Sequence, residues 1–173
     1  RGVLAEGDGG VIVLALAERL AAGIAARLAA VLDAGEVAVE RDGIAVRNPA
    51  RLGVIALDEG AGPDERPPAA LLDRLAFRLD FSAVSVHDLE IDGYRAAEIA
   101  AARAALPGVA AGHEILGALC AAGLALGIHS LRAPLLALRV ARAAAALDGR
   151  STVSEDDAAV AARLVLGPRA TQL

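Results

Sequence analysis

The chain has 173 residues and a formal net charge of −5; 56% of it is hydrophobic but only 2% aromatic. That length supports one ordinary domain or a small pair with a sizeable core, and the aliphatic composition favours helices and excludes a base-stacking surface. All 17 basic residues are arginine, so this chain holds no phosphate-loop lysine, Schiff-base lysine or lysine general base.

Gly9-Gly10 followed by Val11-Ile12-Val13-Leu14 predicts a glycine turn and a short buried strand. A helix is expected over roughly Glu18 to Asp33, with Leu20, Ile24, Leu28 and Val31 on one face and Gly35 as its C′ residue. Val37–Arg41 and Ile44–Arg47 flank Asp42-Gly43, the pattern of a β-hairpin with a type I′ turn. Leu52–Leu57 predicts another strand of the fully buried type, and the acidic, Gly- and Pro-rich stretch Asp58–Pro68 a loop. Pro67-Pro68 can open a helix through Leu71, Leu72 and Leu75, and Phe77–Phe81 alternates as a strand does. Four helices are expected beyond that, over Tyr94–Leu106, His113–Leu126, Ala133–Leu147 and Ser154–Leu166. Ser154 with Asp157 forms a capping pattern at the start of the last.

Several function classes fall away. The arginines are scattered and the charge is acidic, which excludes a nucleic-acid footprint. No apolar run approaches the roughly 20 residues of a membrane span. One cysteine, Cys120, precludes an internal disulfide, and His87, His113 and His129 lie in separate segments without metal-ligand spacing. With Arg1 in first place and no methionine, the chain is expected to be a piece of a longer protein.

Three stretches occur in the order and spacing of one family. They are Leu4-Ala5-Glu6-Gly7-Asp8-Gly9-Gly10-Val11, then Val39-Glu40-Arg41-Asp42-Gly43 running on to Pro49-Ala50-Arg51, then Leu71-Leu72-Asp73-Arg74. A fourth, Gly127-Ile128-His129-Ser130-Leu131-Arg132, continues to Leu147-Asp148-Gly149-Arg150. Together they resemble the AAA+ modules of the magnesium-chelatase family. Within it they are most similar to the D-type component, the non-hydrolysing partner of the I-type motor. The resemblance implies an α/β fold: part of an AAA+ P-loop NTPase-like sheet with flanking helices and a β-hairpin insertion, then an α-helical lid. Residues 1–106 would be the α/β part and 107–173 the lid. The family's phosphate loop would lie ahead of Arg1. Its metal-binding tail domain needs an Asp-x-Ser-x-Ser run; Asp80-Phe81-Ser82 continues with Ala83-Val84 and breaks it.

The resemblance also assigns roles. A working motor ends its central strand in two carboxylates, one orienting Mg²⁺ and one polarising the attacking water. Those positions are Ala15 and Leu16, a degenerate Walker B motif, with Glu18 two residues beyond the position of the base. The first sensor position, normally an Asn amide, holds Asp58-Glu59, which cannot donate a hydrogen bond when ionised. Arg74 matches the arginine finger, which would act in trans on the nucleotide of the next protomer. Its alternative reading is a surface arginine paired with Asp73 or a neighbouring acid. Arg132 matches the lid's second sensor, and its usual following Asp is replaced by Ala133-Pro134. Arg66 and the hairpin tip Glu40, Arg41 and Asp42 are expected at interfaces between protomers.

The implied function is that of a non-hydrolysing ring platform. It would couple ATP hydrolysis by the I-type motor to Mg insertion into protoporphyrin IX by the porphyrin-binding H-type component, in chlorophyll or bacteriochlorophyll synthesis. ATP and Mg would serve the assembled magnesium chelatase, with a homo-oligomeric ring in the cytoplasm of a phototrophic bacterium. The alternatives are a fragment of an active chelatase-like or MoxR-like ATPase, and a self-contained binding module.

Overall fold

The computed structural model describes residues 2–41, 43–62, 64–85, 87 and 93–172. They pack as two compact units, Arg1–Leu75 and Ala76–Leu173.

In the first unit a one-turn helix α1 (Val3–Glu6) precedes strand β1 (Val11–Leu14). Helix α2 (Ala22–Ala34) follows, then the hairpin strands β2 (Glu36–Arg41) and β3 (Ile44–Pro49), strand β4 (Gly53–Ala56) and the one-turn helix α3 (Ala69–Leu72). The helix expected from Glu18 is two pieces. Residues Ala17–Arg19 form a 3-10 turn, and Ala21 is extended at φ −60°, ψ 137° before α2 begins. That break frees Leu20 to enter the core without continuing the helical register. Gly35 closes α2 at φ 68°, donating its N–H to the Val31 carbonyl, as a left-handed C′ glycine does.

β1 and β4 pair in parallel, Leu14 opposite Ala56. One face carries Leu14, Val54 and Ala56 into a core built on Ala25, Leu28 and Leu71. On the other face Val11, Val13 and Ile55 are exposed. This corrects the expectation that both strands are fully buried. Within this unit only one helical layer covers the pair, so each strand alternates between a covered and an open side. The hairpin forms as expected, with Val39 opposite Val46 and Arg41 opposite Ile44. Gly43 has φ 78°, the left-handed value a type I′ turn requires, while Asp42 lies outside the described residues.

The second unit is helical: α4 (Ala96–Ala105), α5 (His113–Ala125), α6 (Arg132–Leu147) and α7 (Glu155–Ala161), which runs on as a π-turn over Ala162–Leu166. α5, α6 and α7 bury Leu119, Ala137, Ala141, Ala161 and Val165 against one another; small alanines let the backbones approach. α4 packs on the far end of α6 through Ala102, Ala145 and Ala146. Arg142 of α6 binds the end of that layer, donating to the carbonyls of Val109 at 2.9 Å and Leu106 at 3.3 Å.

Phe77–Phe81 is not a strand. Phe77, Leu79 and Phe81 are exposed in irregular chain, and among the described residues no neighbouring strand offers the ladder that would satisfy an extended segment.

Candidate functional site

Parallel α/β sheets place their chemistry where the strands end at their carboxyl side. Here that edge lies just after Leu14 and Ala56. The ladder continues one step past it, with Leu57 N–H on the Leu14 carbonyl and Ala17 N–H on the Leu57 carbonyl, at 2.9 and 2.8 Å. The chain must turn sharply between Leu14 and Ala17. Leu16 does so at φ 52°, ψ 49°, the one non-glycine residue with positive φ among those described. A leucine there carries backbone strain of roughly 1–2 kcal/mol.

Ala15 and Leu16 thus stand at the strand end and offer a methyl and an isobutyl group. Glu18 comes nearest to replacing them, but its carboxylate is only 4% exposed and is committed within the fold. Its Oε2 accepts the Glu59 N–H at 3.2 Å and its Oε1 faces Arg19 Nε at 3.6 Å. Glu18 therefore clasps the β1 loop to the β4 loop. Asp58 caps its own turn, accepting the Gly60 N–H at 3.1 Å, and Asp58 and Glu59 are exposed. Glu65 closes the same loop by accepting the Ala61 N–H at 3.0 Å. Among the described residues no three His, Cys, Asp or Glu side chains converge as a metal site. The donor set at the strand end does not fit a Mg²⁺ ion.

Arg74 lies two residues past α3 and folds back onto the last turns of α2. Its Nε donates to the Ala29 carbonyl at 3.1 Å and to Asp33 Oδ2 at 3.0 Å. Its second terminal nitrogen also bonds Asp33, and the first donates to the Ala70 carbonyl at 2.7 Å. The Arg74 side chain is 18% exposed and that of Asp33 38%. The hydrogen bond to Asp33 raises the guanidinium above its ordinary pKa, so the cation is permanent. The carboxylate pairing expected as the alternative role of Arg74 is present, with Asp33 rather than Asp73 as its hydrogen-bonding acid.

The other expected residues sit apart. Arg66 is exposed in the loop before α3. Glu40 is exposed near the hairpin tip; the Arg41 side chain and Asp42 lie outside the described residues. An ion pair between Glu36 and Arg47 braces the hairpin nearer its base. Arg132 opens α6, half-buried, with its N–H on Ser130 Oγ at 3.3 Å.

A second charged cluster organises the helical unit. Arg150 grips Asp157 through both terminal nitrogens, with the Nη2–Oδ1 bond at 2.7 Å, and reaches Asp148 at 2.7 Å. Arg150 and the Ser154 hydrogen bonds hold the Asp157 carboxyl far below the usual carboxylate range. Sequence reasoning finds the Ser154–Asp157 cap but not its arginine. It also misses Asp33 and the clasp made by Glu18. Asp33 and Arg74 are far apart along the chain, and nothing local in either segment marks the pair.

Comparison with known proteins matches residues 116–173 to the AAA lid domain. The chain is 43% identical to the magnesium-chelatase 60 kDa subunit of Cereibacter sphaeroides over 92% of its own length and 26% of that protein's. It is 33% identical to the magnesium-chelatase 38 kDa subunit of Rhodobacter capsulatus, over 97% of this chain and 54% of that protein. A solved protein of Cytophaga hutchinsonii named for an ATPase superposes with a TM-score of 0.61 at 18% identity, over 90% of this chain and 57% of that one, which supports the fold. The chain spans about a quarter of the 60 kDa relatives it matches. No helix among the described residues is long and apolar enough to cross a membrane. With its partial α/β sheet, hairpin insertion and AAA lid, the chain belongs to the magnesium-chelatase family of AAA+ modules.

Proposed function

We propose that this chain is the AAA+ module of a D-type magnesium-chelatase component, and that it does not hydrolyse ATP. The reading rests on one observation above all. The strand end offers Ala15 and Leu16 where Mg²⁺ and the attacking water need carboxylates, and the nearby Glu18 is bound to the Glu59 backbone. A methyl and an isobutyl group neither ligate a cation nor accept a proton. Asp58 and Glu59, exposed at the first sensor position, add negative charge where a γ-phosphate would lie.

The module acts instead as a platform in a homo-oligomeric ring that meets the ring of the I-type motor. There ATP and Mg²⁺ serve the motor, and the assembly drives Mg insertion into protoporphyrin IX by the H-type component, in the cytoplasm of a phototrophic bacterium making (bacterio)chlorophyll. The α/β unit supplies Arg74 in trans to the nucleotide of an I-type protomer, and the helical unit places Arg132 as a second sensor. Arg66 and the hairpin tip Glu40, Arg41 and Asp42 contact neighbouring protomers. The expected test outcome is that the intact protein co-purifies with the I-type motor and raises its ATPase, and that Arg74→Ala lowers the raised rate tenfold or more, on the order of what fingers contribute. Failure to bind the motor, or an unchanged rate with the variant, overturns the reading.

A further inference from the structure

The candidate finger is occupied. Arg74 gives its guanidinium to three acceptors of its own unit, the Ala29 and Ala70 carbonyls and the Asp33 carboxylate. Two of them lie one turn apart at the C-terminal end of α2, where the helix dipole itself favours a cation. Paired in this way, Arg74 and Asp33 carry no net charge. A guanidinium in that state cannot spread positive charge over a transferring phosphoryl group. The pair is also built to exchange. Asp33 is 38% exposed, so water and ions reach the carboxylate side of the bond. A nucleotide phosphate bears more charge than a carboxylate and matches the same fork of donors.

We propose that Asp33 is a latch for Arg74: it holds the guanidinium folded back on α2 in the unassembled protein and yields it to a phosphate of the nucleotide on an adjoining I-type protomer on assembly. The proposal rests on the reading of Arg74 as a finger in trans. Asp33 is a positioning residue; it touches no substrate. Its consequence is thermodynamic. A protein whose binding-competent state is a minor population binds more weakly by that fraction, while its behaviour once bound is unchanged. Removing the latch charge therefore acts on the concentration needed for assembly and not on the plateau.

The test titrates the intact protein into the I-type motor with MgATP and reads ATPase rate against concentration, for wild type, Asp33→Asn and Arg74→Ala. Asp33→Asn is expected to lower the half-saturating concentration by about threefold or more with the plateau retained. Arg74→Ala is expected to lower the plateau. If Asp33→Asn leaves the titration unchanged, or lowers the plateau as Arg74→Ala does, the latch is overturned while the finger stands. If Arg74→Ala leaves the plateau intact, the finger fails and the latch with it. A second measurement needs no variant. Phenylglyoxal labelling of the unassembled wild type, read by peptide mass spectrometry, should modify Arg74 several-fold more slowly than Arg19, which is 74% exposed. Equal rates overturn the latch even if Asp33→Asn does not fold.

Discussion

Asp157→Ala removes a carboxylate that holds the start of α7 from two sides. The side chain is 6% exposed; its Oδ2 accepts the Ser154 N–H at 2.8 Å and its Oδ1 accepts Arg150 at 2.7 Å. Losing the reciprocal half of the capping box, the acceptor for the Ser154 N–H, costs about 1 kcal/mol, while Ser154 itself still caps the helix. Losing an acceptor for charge-assisted bonds costs roughly 1.5–3 kcal/mol, and the lower half of that range applies because Arg150, 37% exposed, rehydrates and keeps Asp148. The sum is about 2.5–3 kcal/mol, or roughly 5–12 °C in a chain of this size. The pH dependence has a definite sign. The folded carboxyl titrates well below its unfolded value of about 4, so its contribution is complete above that value and is lost as the pH falls through the folded one. Thermal unfolding of wild type and variant should therefore differ by a constant amount from about pH 6 to 8, and the gap should narrow below about pH 4. A gap as wide at about pH 3 as at pH 7, or a loss under about 0.5 kcal/mol at neutral pH, would refute the reasoning.

Other substitutions read other parts of the account. At Leu16 the backbone, not the side chain, sets the ranking: Leu16→Gly should be more stable than Leu16→Ala by about 1 kcal/mol in denaturant unfolding, the reverse of the order inside a helix. Leu71, fully buried against Ala25 and Leu28, is the keystone of the first unit's core, and Leu71→Ala should cost about 2–5 kcal/mol by the same measurement. Arg142→Ala strips the acceptor-rich end of α4 of its donor and should speed hydrogen exchange in α4 and its following turn relative to α5.

What the sequence reveals divides along a physical line. Features fixed by a few neighbouring residues are legible: the hairpin around Gly43, the left-handed Gly35 that ends α2, the Ser154–Asp157 cap, the alanine-rich helices after Tyr94. Features that depend on what packs alongside are not. Phe77–Phe81 alternates like a strand but has no partner ladder among the described residues, and β1 and β4 look fully buried yet have one open face. That the strand end carries no carboxylate at Ala15 or Leu16 is read from residue identity alone. Where Glu18 points follows only from the fold, because its partner is a backbone N–H on another strand's loop. The same holds for Arg74. Its neighbours in sequence place it in a family pattern, while the acid that occupies it lies on α2.

The central claim is that the strand end cannot prime water for attack on ATP. The direct measurement is steady-state ATP hydrolysis by the intact protein alone, with Mg²⁺, beside the I-type motor under the same conditions. The account predicts a rate indistinguishable from buffer, unchanged by Glu18→Gln. Turnover at a rate comparable to the motor's, abolished by Glu18→Gln, would contradict it.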